Sequence, residues 1–217
     1  MKKFFRDNGL SIVLLLLFLG SFVGHTLSGW MDYNGDQEEH GQPQVTLGGY
    51  MKTGSYGESV FENWESEFLQ MGLYVILTSF LFQRGSAESK DPDEETVDPR
   101  TKAKEPGVPW PVSRDGWLLV LYSNSLAIAL LALFALSMAG HAITGAVAHN
   151  EEALTHHQPL LTTGQYFGSA QFWFESFQNW QSEFLSIFAI VVLSIWLRQY
   201  GSPESKPVHA PHSQTGS

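Results

Sequence analysis

Histidine and glutamate side chains recur at matched positions along the chain, and they are its strongest candidates for chemistry. Imidazole nitrogens and carboxylate oxygens are ligands for Zn, Fe or Mn, and two of each are enough for one tetrahedral ion. The four candidate residues are His25, Glu67, His141 and Glu183. No Glu-x-x-His or His-Glu-x-x-His sequence places two of them on one helix turn, as di-iron bundles and zinc proteases do.

Two other roles remain open for these four residues. The glutamates could accept hydrogen bonds from loop groups and fix each outer loop onto its helix, with a histidine beside them to avoid a lone charge in lipid. Alternatively, the group could bind a proton or a small ligand. The sequence therefore predicts either a loop-fixing or a ligand-binding cluster, with the metal and any cofactor unknown.

A second set of polar residues accompanies the candidates in both halves of the chain. Asn63 precedes Glu67 by four residues, so the two share a helix face. The neighbouring Trp64 and Trp180 could wall a polar pocket, or they could belong to the aromatic belt of a membrane protein. The supporting polar residues are His40, Asn63, Ser66, His156, Asn179 and Ser182. We expect His40 and His156, which lie near Gln-Pro, to serve loop structure rather than metal binding or pH sensing.

These residues come in pairs because the chain contains an internal repeat. Asn8–Lys90 aligns with Asn124–Lys206 at an offset of 116 residues without a gap, and 34 of 83 positions are identical. The densest match is between Phe61–Leu69 and Phe177–Leu185. A repeat of this length predicts two copies of one supersecondary unit. The predicted division is repeat 1 at 1–90, a linker at 91–113, repeat 2 at 114–206 and a tail at 207–217.

Four apolar blocks predict four transmembrane helices, two in each repeat. A bilayer span needs roughly 20 mostly apolar residues; two blocks reach that length, and two reach it if their helices begin upstream, near Glu58 and Ala170. The blocks are Leu10–Leu27, Phe68–Phe82, Trp117–Ala148 and Phe184–Leu197. The first block could be mistaken for a signal peptide, but its partner in the repeat lies in mid-chain.

The sequence also predicts where these helices end. We expect helix one over Phe4–Ser28, helix three over Arg114–Val147 and helix four over Ala170–Tyr200. Helix two should reach Arg84, with Gly85 ending it. Thr46 and Thr162 are predicted N-caps of a short helix in each outer loop.

Basic residues predict one orientation. Of the 12 Lys and Arg residues, all but Lys52 lie before helix one, between helices two and three, or after helix four. The positive-inside rule then places both termini in the cytoplasm. Two helices per copy make the repeats parallel. The predicted fold class is an all-α membrane protein of four transmembrane helices, arranged as two tandem parallel-repeat helical hairpins.

Bulk composition excludes several classes of function. A net charge of −10 is not the footprint of a nucleic-acid-binding protein. The absence of cysteine excludes disulfides, thiolate metal sites and cysteine nucleophiles. Gly-rich phosphate loops, nucleophile elbows and dinucleotide fingerprints are absent from the sequence as well. Few ionisable residues lie between the predicted membrane anchors, which disfavours a transporter.

The motifs around Phe61–Leu69, Gln83–Lys90 and their second copies resemble a family of bacterial integral membrane proteins described only as a domain of unknown function. The spacing of Asn34, His40, Pro43 and Tyr50 matches as well. The resemblance covers nearly the whole chain and implies an uncharacterised multi-pass protein of the bacterial inner membrane. It implies no reaction and carries over no site residue.

The sequence thus favours a non-enzymatic accessory or structural protein of the bacterial envelope. Binding of a metal ion or small ligand at the outer face by a pseudo-twofold His/Glu site is the alternative, and a membrane enzyme comes third. The expected partners are membrane lipid and, as open alternatives, another protein or a second copy of the chain.

Overall fold

The computed structural model describes residues 2–94, 96–103, 105–114 and 116–216. This part of the chain contains α-helices and one 3₁₀ helix, Pro99–Lys102, and no strand. The all-α prediction is therefore confirmed for the described residues. The α-helices are α1 Lys2–Asp7, α2 Gly9–Glu39, α3 Leu47–Tyr50, α4 Gly54–Leu77, α5 Trp110–Arg114, α6 Gly116–Ser123, α7 Ser125–Thr155, α8 Thr163–Phe167 and α9 Ala170–Leu193.

The helices of the second copy follow those of the first at the spacing of the sequence repeat. Helices α2 and α7 contain 31 residues each, and α7 begins 116 residues after α2. Helices α4 and α9 contain 24 residues each and are separated by the same offset. Both copies thus place a long helix, a short helix and a second long helix in the same order.

Two of the four predicted spans are long and apolar enough to cross a membrane among the described helices, namely α2 and α7. Helices α4 and α9 do not meet that measure, because their first halves are polar; α4 carries Glu58, Glu62, Glu65 and Glu67. Helix α2 lies near the N-terminus, and a signal sequence at that place meets the same measure of length and apolar composition. Helix α7 lies in mid-chain and α2 is its repeat partner.

The chain forms two compact units, each of which draws on both sequence copies. Unit 1 contains Met1–Val60 and Gly140–Phe167, and unit 2 contains Phe61–Ala139 and Gly168–Ser217. The predicted boundaries of the repeats, linker and tail stay predictions about the organisation of the sequence.

In unit 1 the start of α4 lies directly against α7. A Cβ on Gly54 would overlap the backbone of Ala148, and a Cβ on Gly57 would overlap the side chain of Thr144. The neighbouring Ala142 and Ala146 of α7 are buried. Small residues allow two helix backbones to approach closely, which is how helices commonly associate in membranes.

Most predicted helix ends were wrong. Helix α4 ends at Leu77 and α9 at Leu193, seven residues before Arg84 and Tyr200. Helix α4 changes to turns after Leu77, where Thr78 Oγ1 donates to the carbonyl of Tyr74 at 2.8 Å and Ser79 Oγ to that of Ile76 at 2.6 Å. Such local bonds compete with the helix ladder.

The first long helix of each copy runs further than predicted. Helix α2 continues past Ser28 to Glu39, and α7 continues past Val147 to Thr155. Two residues after each helix end the chain has a residue with positive φ, Gly41 at 67° and His157 at 54°. These residues occupy the left-handed position that commonly follows a helix. The last turns of these helices are polar, so the apolar pattern did not predict them as helical.

Candidate functional site

Each outer loop in unit 1 is attached to its long helix by the same pair of hydrogen bonds. Asn34 Nδ2 donates to the Val45 carbonyl at 3.0 Å, and the Val45 N–H donates to Asn34 Oδ1 at 2.8 Å. Asn150 makes the same two bonds with Leu161, both at 2.8 Å. The described contacts thus give an asparagine in each copy the loop-fixing role that the sequence suggested for Glu67 and Glu183.

The short outer-loop helices begin as predicted. Thr46 Oγ1 accepts from the N–H of Gly49 at 3.1 Å at the start of α3. Thr162 Oγ1 accepts from the N–H of Gln165 at 3.3 Å at the start of α8. A threonine N-cap satisfies a backbone donor that has no partner within the helix.

These short helices insert a tyrosine against a glycine of the long helix. Tyr50 of α3 and Tyr166 of α8 are 5% and 0% exposed. A Cβ on Gly29 would overlap the Tyr50 hydroxyl, and a Cβ on Gly145 would lie 2.6 Å from the Tyr166 hydroxyl. Alanine at either position would therefore require the tyrosine to shift. We call the surroundings of the two hydroxyls the Tyr50 pocket and the Tyr166 pocket.

The Tyr50 pocket is aromatic. The ring centroid of Tyr50 lies 5.4 Å from that of Tyr33 and 5.2 Å from that of Tyr56. His25, one of the predicted site residues, stacks on Tyr56 at 6.1 Å, and the Tyr56 hydroxyl shares a 3.0 Å hydrogen bond with Thr26. Burial, with a smaller effect from Tyr56, raises the pKa of Tyr50 above its ordinary value, so this pocket keeps its phenol neutral.

The Tyr166 pocket contains a glutamate and two histidines. The Tyr166 hydroxyl donates to Glu58 Oε1 at 2.7 Å. A ring nitrogen of His141, which is 0% exposed, lies within 4.8 Å of a Glu58 carboxylate oxygen. The ring centroids of His141 and His149 lie 6.5 and 6.1 Å from that of Tyr166. Glu58, His141, His149 and Tyr166 thus form one cluster within unit 1.

The four predicted site residues are divided between the units. His25 and His141 belong to unit 1, in the two tyrosine pockets, whereas Glu67 and Glu183 belong to unit 2. Glu67 is exposed and Glu183 half-buried. Their grouping into one His/Glu level stays a prediction.

Most supporting polar residues make local contacts. Ser66 and Ser182 donate to the carbonyls three residues earlier, at 2.8 Å each, and His40 Nδ1 lies 2.8 Å from the Asp36 carbonyl oxygen at the end of α2. Asn63 and His156 are exposed. Asn179 differs, because its Nδ2 donates to the carboxylate of Glu62 on α4.

Asn179 is part of a polar seam between α4 and α9 in unit 2. Glu65, which is 0% exposed, accepts from Trp180 Nε1 at 3.2 Å. Gln70 Nε2 donates to the Glu183 carbonyl at 2.8 Å and to Ser186 Oγ at 2.9 Å. The indole of Trp180 is therefore a structural donor between helices.

The functional residues that sequence reasoning missed lie where the two copies differ. Glu58, Glu62 and Glu65 align with Phe174, Gln178 and Gln181. A search for residues that are identical in both copies does not find them. The alternation of Glu with Gln inside the densest motif was the available signal, since the same position carries a charge in only one copy.

At the other end of unit 2, the Gln83–Lys90 motif and its copy Gln199–Lys206 fold alike. Ser89 Oγ accepts from the Gln83 N–H at 2.9 Å, and Ser205 Oγ accepts from the Gln199 N–H at 2.8 Å. Ser86 and Ser202 each accept from the N–H two residues later at 3.1 Å. Gly85 and Gly201 have φ of 83° and 79° and belong to this turn instead of ending a helix.

The glutamates of the two motifs line one cavity of about 450 Å³ together with Tyr74. Tyr74 donates to Glu88 Oε2 at 2.8 Å. Burial raises the pKa of Glu88 above its ordinary value; the Tyr74 bond opposes this shift and Glu204 adds to it. A carboxyl in these surroundings takes up a proton more readily than an exposed one.

The lysines of the two motifs have different environments. Lys90 is exposed, whereas Lys206 is 0% exposed. Lys206 Nζ donates to the carbonyls of Gly85, His212 and Gln214, the last two at 3.0 Å. Three carbonyl acceptors match the three donors of an ammonium group, so Lys206 attaches the tail to the first motif.

Comparison with known proteins gives one match. The model of a family described as a domain of unknown function, DUF6766, matches residues 1–217. No curated protein and no solved structure matches the chain.

Proposed function

The chain belongs to the DUF6766 family, and because that description assigns no activity, we propose a function from the residues themselves. The protein is a four-span integral protein of the bacterial inner membrane with both termini in the cytoplasm. Its two parallel helical hairpins form a non-enzymatic accessory or structural scaffold of the envelope. Membrane lipid surrounds it, and a protein partner or a second copy completes the assembly.

The observation that supports a scaffold is that one asparagine in each copy binds its outer loop through two hydrogen bonds. We call each of these bond pairs an asparagine clamp. Asn34 and Asn150 bind the loop backbone with the same atoms at nearly the same distances. The tyrosine–glycine contacts repeat beside them. Polar residues that are identical in both copies are thus used to build two equal outer caps, as a symmetric scaffold requires.

The polar seam supports α4 and α9 as the second and fourth spans. Their C-terminal halves are apolar, and their polar halves bond to one another through Asn179, Trp180 and Gln70. Polar groups near a membrane are tolerated when neighbouring helices satisfy them. The free-energy cost of entering the bilayer is therefore lower for α4 and α9 as a pair than for either helix alone.

Single-cysteine labelling tests this topology, because the chain has no cysteine of its own. Lys52→Cys and Glu152→Cys should react with an impermeant maleimide from outside intact cells. Glu94→Cys and Ser213→Cys should react only after the membrane is opened. Labelling of Ser213→Cys from outside, or extraction of the protein by carbonate, would refute the proposed arrangement.

The scaffold role has its own test. Replacing both Asn34 and Asn150 by alanine should lower the amount of protein in the membrane and shift its cross-linked assemblies to smaller sizes. A protein that keeps its wild-type level and cross-linking pattern after both replacements would remove the basis for a scaffold, while leaving the labelling result intact.

A further inference from the structure

We infer that the Tyr166 pocket binds a divalent transition-metal ion through Glu58 and His141. This site is independent of the scaffold role. Its argument rests on the donor atoms in the pocket, on their burial, and on the contrast with the Tyr50 pocket of the first copy.

The donor atoms are of the types that first-row metals take from proteins. A carboxylate, two imidazoles and a phenol lie close together: the Tyr166 hydroxyl bonds to Glu58 at 2.7 Å, and the ring centroids of His141 and His149 lie 6.5 and 6.1 Å from that of Tyr166. Imidazole and carboxylate together suit Zn²⁺, Fe²⁺ and Mn²⁺ better than Mg²⁺ or Ca²⁺.

The separation of the main ligands is close to what an ion needs. Two ligands that each lie about 2.1 Å from a tetrahedral ion stand about 3.4 Å apart. The carboxylate of Glu58 and a ring nitrogen of His141 lie within 4.8 Å of each other. Gly145 has no Cβ, and the half-buried Glu58 carboxylate and the Tyr166 hydroxyl both pack against it beside His141.

Burial makes the cluster more than a group of surface residues. His141 and Tyr166 are both 0% exposed. Removing a carboxylate and imidazoles from water has a high cost unless charges are compensated, and a divalent cation compensates a carboxylate directly. The Tyr166 hydroxyl donates to Glu58 and so orients the ligand, as outer-sphere hydrogen bonds do in metal sites.

The first copy provides the contrast. Its equivalent tyrosine, Tyr50, has Tyr33 where the second copy has His149, and its neighbours are Tyr56 and Thr26. The Tyr50 pocket thus packs the same outer loop with one imidazole, that of His25. Loop packing alone therefore needs neither a second histidine nor a glutamate, and their presence around Tyr166 requires another reason.

The test uses the full-length protein in detergent, stripped with EDTA and reloaded with Zn²⁺ alone. We expect about one bound Zn²⁺ per chain by mass spectrometry of the metal. Glu58→Gln and His141→Gln should each weaken Zn²⁺ binding roughly 10–100-fold. The matched controls, His25→Gln and Tyr50→Phe, should bind as the wild type does.

Two results would overturn the inference: no Zn²⁺ retained by the wild type, or an equal loss in His25→Gln and His141→Gln. Because the pocket variants could fail to fold, the wild type is also measured by itself. Zn²⁺ should raise its thermal midpoint, and Co²⁺ should give tetrahedral absorption bands. Absence of both effects means that the cluster is a hydrogen-bonded network without metal.

Discussion

The side-chain amide of Asn34 makes two hydrogen bonds with the backbone of Val45. It donates to the Val45 carbonyl at 3.0 Å and accepts from the Val45 N–H at 2.8 Å. Eleven residues separate the partners, and Asn34 is buried. One amide thus satisfies both backbone groups of a loop residue that has left the helix. Asn150 and Leu161 repeat the arrangement.

Replacing either asparagine by alanine should therefore destabilise the protein. Asn34→Ala removes the partner of the Val45 N–H, whereas the Val45 carbonyl keeps a 2.8 Å bond from Trp30 Nε1. Asn150→Ala removes the asparagine bonds of both the Leu161 N–H and the Leu161 carbonyl. A part-buried backbone group that loses its partner costs about 1–3 kcal/mol. Asn34→Asp keeps the acceptor for the Val45 N–H but puts a buried carboxylate oxygen against the Val45 carbonyl oxygen, so it should also destabilise the protein. Chemical denaturation followed by tryptophan fluorescence measures the differences.

The matched control for the clamp is Asn124→Ala. Asn124 is exposed and donates only to the carbonyl of Val120, four residues earlier, at 2.8 Å. Its replacement should change the free energy of unfolding by less than about 0.5 kcal/mol. Equal losses from Asn34→Ala and Asn124→Ala would show that the loop does not depend on the clamp.

Glycine at positions 29 and 145 leaves room for the hydroxyls of Tyr50 and Tyr166. Alanine at either position should therefore destabilise the packing of that outer loop on its long helix. The new Cβ of Gly29→Ala overlaps the Tyr50 hydroxyl, and overpacking of this kind costs about 1–3 kcal/mol. Tyr50→Phe removes the overlapping oxygen and should restore part of the loss. The thermal midpoints of the two single variants and the double variant measure this coupling.

Gly24→Ala serves as the control for this prediction. In the described part of the chain, a Cβ at Gly24 would meet no heavy atom within 4 Å beyond the adjacent residues and the backbone of its own helix. Alanine is a better helix former than glycine by roughly 0.5–1 kcal/mol. Gly24→Ala should therefore be neutral or stabilising. If Gly29→Ala behaves in the same way, the Tyr50 ring moves freely and the close contact has no structural role.

The repeat made much of this architecture predictable. It predicted that α7 would follow α2 at a fixed offset, and Thr46 and Thr162 cap their helices as expected. The apolar pattern could not locate the end of α4, because Phe80, Leu81 and Phe82 continue it beyond Leu77. The helix changes to turns at residues 78–80, and apolar periodicity does not report that change.

The candidate site could be predicted only in part for a related reason. A search for identical positions finds His25 and His141 but not Glu58, which aligns with Phe174. Identity between copies selects what both hairpins need in order to fold. A function carried by only one of the two tyrosine pockets appears instead as a difference between aligned positions, so the comparison of Tyr33 with His149 is more informative than any shared residue.

Glu88 should make the stability of unit 2 depend on pH. Burial raises the pKa of Glu88 above the ordinary 4.5, so the folded chain binds the proton more tightly than the unfolded chain. The resulting stabilisation is complete below pH 4.5 and is lost as pH rises through the folded pKa. Glu88→Gln, which stays neutral, should flatten this decline when the thermal midpoint is recorded against pH.

Two further variants identify the cause of this pH dependence. Glu204→Gln removes the smaller, electrostatic contribution to the raised pKa of Glu88 and should weaken the decline without abolishing it. Glu94→Gln alters an exposed carboxylate and should leave the profile unchanged. A profile in Glu88→Gln that matches the wild type would assign the pH dependence to another group.

Lys206 should hold the C-terminal tail against the first Gln83–Lys90 motif. Its ammonium group binds the carbonyls of Gly85, His212 and Gln214, and the same junction includes a 2.9 Å bond from the Gly216 N–H to the Ser86 carbonyl. Lys206→Met keeps the apolar stem but leaves three carbonyls without their donor. The expected cost is about 2–4 kcal/mol, since hydrogen bonds to charged groups are the stronger class.

Hydrogen exchange distinguishes a local release of the tail from general unfolding. The amides of Gly85 and Gly216 bond across the junction, the first to Thr215 Oγ1 at 3.0 Å, and both should exchange faster in Lys206→Met. Amides in the middle of α7 should keep their protection. Lys90→Met changes the exposed lysine of the other copy and should alter neither. If the amides of Gly85 and Gly216 exchange equally fast in Lys206→Met and Lys90→Met, the buried ammonium group of Lys206 does not hold the tail.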